Sequence, residues 1–112
     1  MSSESLVRRY FTTFLSDDEK AMKAMMSDDF TFSSPRDDHI DRNEFFRRCW
    51  PHRHELRALR IEELFASDDE AFVRYEAEPK SGAPFRNVEF LRIDGPKVRA
   101  VEVYFGPSEK RH

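Results

Sequence analysis

Apolar positions recur about every 3.6 residues in the first half of the chain and about every second residue in the rest, which divides it into helices followed by strands. Leu6, Val7, Tyr10, Phe11, Phe14 and Leu15 fall at i, i+1, i+4, i+5, i+8 and i+9, a wide stripe that predicts an amphipathic helix opening at Ser3 or Ser5. Arg8, Arg9, Thr12 and Thr13 take its wetter side. Ser16-Asp17-Asp18-Glu19 has the capping-box form and places acids where the helix dipole favours them. It predicts a second helix that turns Ala21, Met22, Met25 and Met26 inward. Phe30-Thr31-Phe32-Ser33 alternates as a short strand does, and Ser34-Pro35 ends it. Asp41-Arg42-Asn43-Glu44 repeats the cap logic ahead of Phe45, Phe46, Cys49 and Trp50, a third helix stopped by Pro51.

From Glu55 to Ala66, Glu70 to Glu78, Phe85 to Ile93 and Lys97 to Phe105 the residues alternate or are β-branched and aromatic. Turn chemistry separates them: Ser67-Asp68-Asp69, Pro79-Lys80-Ser81-Gly82 and Asp94-Gly95-Pro96. Four strands joined this way predict an antiparallel meander, and helices segregated ahead of it predict an α+β domain with the helices on one face. No repeat, linker or low-complexity segment interrupts residues 1–112, which read as one domain with residues 107–112 a frayed tail.

Composition narrows the class. With 112 residues, 38% of them hydrophobic and 15 aromatic, the chain can fill one core; the 37% of charged residues cover it. The net charge of −3, with basic residues scattered among acids, leaves no footprint for a nucleic-acid backbone. No apolar run approaches the ~20 residues of a membrane span, and Met1-Ser-Ser-Glu-Ser lacks the order of a signal peptide. A cytoplasmic protein with neither nucleic-acid nor membrane partners is expected. The lone Cys49 makes no internal disulfide and no thiolate cluster.

The order helix, helix, strand, helix and four long strands resembles the NTF2-like (cystatin-like) fold. Val7-Arg8-Arg9-Tyr10 and Ser27-Asp28-Asp29-Phe30-Thr31-Phe32-Ser33-Ser34-Pro35 are similar to the opening of its ketosteroid-isomerase and polyketide-cyclase (SnoaL-like) branch. Arg92-Ile93-Asp94-Gly95-Pro96-Lys97-Val98 with Glu102-Val103-Tyr104-Phe105-Gly106 is similar to its final hairpin. The resemblance implies a cone of three helices on a curved antiparallel sheet around an open-ended cavity, homodimerisation through the outer sheet face, and cofactor-independent chemistry on a small hydrophobic or carbonyl-containing molecule. It implies that Tyr10 donates to a substrate oxyanion. It further implies that Glu89 is the second donor, at the place of a carboxylic acid kept protonated. The place of the family's catalytic base holds Ser34, a hydroxyl that cannot take a proton from carbon unaided. The cavity lining implied in the same way is Phe14, Phe32, Ser34, Phe46, Trp50, Asn87, Leu91 and Val103.

Residue by residue, the alternatives stay open. Tyr10 is either a core tyrosine bonded to a backbone carbonyl or a donor facing a pocket. Glu89 faces the cavity if Phe85, Asn87, Leu91 and Ile93 form the concave face, and solvent under the opposite parity. Asp37-Asp38-His39 is either a base-carrying loop, with Asp38 or His39 as the base, or a turn plus helix cap. His39, His52, His54 and the nearby acids lack the spacing of a metal site. Cys49 reads as a structural thiol on the buried stripe of the third helix. Two function classes follow: an isomerase, cyclase or dehydratase using Tyr10, Glu89 and an Asp38 or His39 base, or a non-catalytic binding or association module.

Overall fold

A computed structural model describes residues 2–108, with Pro107 and Ser108 described by backbone only. Helix α1 (Ser3–Leu15) is capped by Ser2, whose side chain accepts from the Ser5 N–H. Its stripe of Leu6, Val7, Tyr10 and Phe11 is buried. Ser16 ends α1 rather than opening the next helix, its N–H donating to the Thr12 and Thr13 carbonyls. Helix α2 (Glu19–Ala24) starts behind Asp18, the shorter acid, which accepts from the Ala21 N–H at 3.0 Å. Met25 is already the C-cap of α2, and Met26 opens strand β1 (Met26–Ser34), several residues ahead of the expected strand.

The segment expected as a loop is a strand, β2 (Asp37–Asp41), paired antiparallel with β1 through Thr31↔Asp41, Phe32↔Ile40 and Ser34↔Asp37. Asp41 caps α3 (Arg42–Arg48) by accepting from the Glu44 N–H. The α-helix ends at Cys49, and Trp50–Glu55 form one 3-10 turn with Pro51 near its start, where proline's missing N–H costs nothing. Strands β3 (Leu56–Ala66), β4 (Glu70–Pro79), β5 (Phe85–Asp94) and β6 (Lys97–Ser108) follow. Strand β6 thus takes in Pro107 and Ser108, while the rest of the expected frayed tail, 109–112, lies outside the described residues.

The six strands form one sheet in the order β2-β1-β6-β5-β4-β3. The expected α+β class holds, but the curved antiparallel cone does not. The sheet is open, with β2 and β3 as free edges, and it is mixed, because β1 runs parallel to β6 (Phe32↔Val101, Ser33↔Glu102). Closure requires the edge strands to meet, and a six-strand linear order leaves them at opposite ends. The core lies between the helices and one sheet face. Ala71, Val73, Tyr75 and Ala77 of β4, Leu91 and Ile93 of β5, and Val101 and Val103 of β6 are buried there. Period-two alternation turns Phe72, Arg74 and Glu76 to the other face.

Candidate functional site

Between α1, α3 and the inner sheet face lies a cavity of about 550 Å³, within the size range of small-molecule sites. Phe11, Phe14, Phe32, Phe45, Phe85 and Phe105 make its wall aromatic. At one end four polar side chains enter from three elements: Tyr10 on α1, Tyr75 on β4, and Asn87 and Glu89 on β5. Glu89 shares the face of Leu91 and Ile93, not that of Val88 and Phe90, because helices pack on that side and bury it.

Tyr75 donates to Glu89 Oε2 at 2.6 Å and accepts from Asn87 Nδ2 at 3.2 Å. Burial pushes the Glu89 carboxyl up from 4.5 to about 7, against the stabilising bond from Tyr75. Burial, followed by the nearby Glu89 charge, raises both Tyr10 and Tyr75 well above the usual phenol value. The Tyr10 hydroxyl has no hydrogen-bond partner among the described residues, and neither has Glu89 Oε1. Sealed polar side-chain atoms without a hydrogen-bond partner, among the described residues, are Asp37 Oδ1, Trp50 Nε1 and Arg53 Nε. Tyr10 Oη and Glu89 Oε1 are not among them, so both open onto the cavity.

At the other end sit Ser34, Arg36, Asp37, Arg48, Cys49, His52 and Glu55. Ser34 Oγ donates to Asp37 Oδ2 at 3.0 Å, and Arg48 Nη2 stands 2.8 Å from Asp37 Oδ1, an ion pair without hydrogen-bond alignment. Cys49 lines the cavity, but burial and then the Asp37 charge push its thiol up to about 12, leaving it a poor nucleophile.

Of the side chains expected to line the cavity, Phe14, Phe32, Ser34, Asn87 and Val103 do, together with Tyr10 and Glu89. Phe46, Trp50 and Leu91 do not. Phe46 and Trp50 pack on each other at 5.5 Å, and Leu91 lies sealed between Ala71 and Val101. Asp38 and His39 are outside as well: their side chains are 95% and 70% exposed and bond to each other at 2.6 Å. His39 takes a left-handed backbone (φ 50°), with its N–H held by Ser33 Oγ, which breaks strand alternation and leaves both residues facing solvent. The carboxylate that the hairpin brings in is Asp37, the member of Asp37-Asp38-His39 that the sequence does not single out as a base. Tyr75 was missed entirely: between Val73 and Ala77 it reads as one more inward aromatic. No three His, Cys, Asp or Glu residues gather as a metal site among the described residues. No helix there is long and apolar enough to cross a membrane.

An α+β domain with helices over one sheet face and an aromatic cavity holding two unsatisfied oxygens is the class that this geometry defines. The SnoaL-like domain family matches residues 7–101, and the chain belongs to it. Among solved structures, one similar to it is a protein from Kribbella flavida DSM 17836 (16% identity, 90% of this chain and 84% of that one, TM-score 0.80). Another is an NTF2-like protein of unknown function from Cytophaga hutchinsonii ATCC 33406 (15%, 96% and 92%, 0.76). A third has a ketosteroid isomerase-like fold, comes from Catenulispora acidiphila DSM 44928 and was solved in complex with trimethylamine (14%, 95% and 88%, 0.71). At these identities the likeness establishes the NTF2-like fold. No curated protein matches the chain.

Proposed function

We propose that the protein binds a small hydrophobic carbonyl compound and polarises it through two hydrogen bonds, from the Tyr10 hydroxyl and from the neutral Glu89 carboxyl. The observation that carries this reading is that both groups line one aromatic cavity and neither Tyr10 Oη nor Glu89 Oε1 has a protein partner among the described residues. Two donors converging on one oxygen stabilise the negative charge that an enolate develops there. Isomerase, cyclase or dehydratase chemistry then needs a base, and besides Glu89 the cavity is lined by two carboxylates, Glu55, whose side chain is 69% exposed, and Asp37, 10% exposed and set into the wall, which takes the place of Asp38 and His39. A binding module without catalysis is the second reading. It is favoured by the engagement of both Asp37 oxygens, Oδ1 with Arg48 and Oδ2 with Ser34.

Calorimetric titration with an aromatic methyl ketone, alongside deuterium exchange at its methyl group, separates the cases. Tyr10→Phe is expected to weaken binding roughly 5- to 10-fold, the worth of one hydrogen bond. His39→Ala should leave affinity unchanged. Exchange that Asp37→Asn abolishes supports the enzyme, and binding without exchange supports the module. Native protein that binds no such ketone refutes the reading.

We also propose a homodimer through the outer sheet face. Phe65 and Phe72 are 70% and 51% exposed there, with Phe90 stacked 4.7 Å from Phe72. Ion pairs surround them: Arg60 with Glu76 and Glu78, Arg74 and Arg86 with Glu62, and Arg92 with Glu70. Apolar surface within such a rim is the usual composition of an interface.

A further inference from the structure

Asn87, Tyr75 and Glu89 form a hydrogen-bond chain whose direction is set by the backbone at one end. The Gly106 N–H reaches Asn87 Oδ1 at 3.4 Å. A backbone N–H can only donate, so the amide oxygen faces β6 and Nδ2 faces Tyr75, to whose oxygen it donates at 3.2 Å. The Tyr75 proton is thereby turned away from Asn87 and goes to Glu89 Oε2 at 2.6 Å. With Oε2 occupied as an acceptor, a neutral Glu89 carries its proton on Oε1, the oxygen that opens onto the cavity. Position 106 must be glycine for this chain to form. A Cβ there would stand 2.4 Å from the Arg86 carbonyl oxygen, and β6 would be pushed off β5 beside Asn87.

We propose that the Asn87–Tyr75 relay makes Glu89 a hydrogen-bond donor to the cavity and, with Tyr10, selects ligands whose oxygen carries no hydrogen: ketones and enolates over the corresponding alcohols. The inference rests on the reading that a carbonyl compound occupies the cavity and deepens it. Asn87 and Tyr75 become positioning residues that act through Glu89. A ketone oxygen has two lone pairs for two donated protons. An alcohol brings a third proton, and Tyr10 and Glu89 make no hydrogen bond to each other that would absorb one. One proton is then left without an acceptor in a desolvated site, which weakens binding roughly 5- to 100-fold.

The titratable groups facing Glu89 are Tyr10 from α1, Tyr75 from β4 and Cys49 from the end of α3. Burial holds all three above their ordinary values, so around neutral pH only Glu89 among them changes charge. His52 lies at the exposed end of the same cavity, paired with Glu55 at 2.7 Å.

The test is calorimetric titration of the whole chain with naphthyl methyl ketone and with the secondary alcohol obtained by reducing it, at about pH 5.5 and about pH 8.5, on either side of the Glu89 titration. The ketone is expected to bind roughly 5- to 100-fold tighter at the lower pH. The preference should reverse at the higher pH, where Oε1 is an acceptor. Glu89→Gln, which keeps an amide donor, should prefer the ketone at both. In Asn87→Leu the Tyr75 hydroxyl is free to turn and accept from Glu89, so the low-pH preference should fall to within about twofold of unity. Tyr75→Phe is expected to do the same and stands in if Asn87→Leu does not fold. A structural role alone for these residues would weaken both ligands equally and leave the ratio unmoved. Native protein that binds ketone and alcohol equally, a ratio indifferent to pH, or a ratio that survives both variants overturns the relay and leaves the cavity reading standing. Binding of neither probe overturns both.

Discussion

Glu89→Gln isolates the cost of keeping an ionisable group in the cavity wall. The Glu89 carboxyl titrates at about 7 in the folded chain, against 4.5 for an ordinary glutamate, because burial opposes its charge more than the Tyr75 bond supports it. Below pH 4.5 the group is protonated folded and unfolded, and its contribution to stability is fully present. As pH rises the unfolded chain loses this proton first, so stability declines and levels off once the folded carboxyl has ionised near pH 7. At ~1.4 kcal/mol for each tenfold step in proton affinity, the whole decline is about 3 kcal/mol. Glutamine is neutral throughout and still offers Tyr75 an oxygen. Urea denaturation of both proteins at about pH 4, below the unfolded value of 4.5, and at about pH 8.5 should give similar stabilities at the lower pH and a variant more stable by about 3 kcal/mol at the higher one. Comparing variant with native cancels the exposed carboxylates held low by arginines, such as Glu62 beside Arg86. A difference that changes by less than ~1 kcal/mol between the two pH values, or a variant that gains at the lower one, would refute the assignment of Glu89 as a buried acid neutral below pH 7.

Gly106→Ala forces a Cβ to within 2.4 Å of the Arg86 carbonyl oxygen, a backbone atom that cannot yield cheaply. A loss of about 1–3 kcal/mol is expected, seen as a melting temperature lowered by roughly 5–15 °C, and a melt unchanged within about 1 °C would contradict the close approach of β5 and β6. Phe72→Asp puts a charge on the outer face beside Phe90. Sedimentation at micromolar concentration should then show a dimeric native protein and a monomeric variant, while a native monomer would dispose of the dimer.

Hydrophobic periodicity alone determined three helices, the four long strands and their α+β arrangement, because each element buries one stripe or one face and the spacing of its apolar residues says which kind it is. It put Tyr10 on a buried stripe and Asp41 at a helix start, both as found. It could not show which strands become neighbours. The β1–β6 parallel pair joins Phe32 to Val101 across most of the chain, and no local pattern carries that information. Nor could it resolve the parity of Glu89: Val88 and Phe90 are as apolar as Leu91 and Ile93, and the helices alone decide which set is covered. Strand β2 carries Asp37-Asp38-His39-Ile40-Asp41, too polar to alternate, and exists because β1 offers it a ladder. Only that pairing separates Asp37, at the cavity, from Asp38 and His39, in solvent. Tyr75 gains its meaning from register, since Tyr75↔Asn87 and Val73↔Glu89 bring residues a dozen or more positions apart onto adjacent strands. Local sequence specifies which atoms can donate or accept; a hydrogen-bond chain with a direction exists only after long-range pairing has set those atoms side by side.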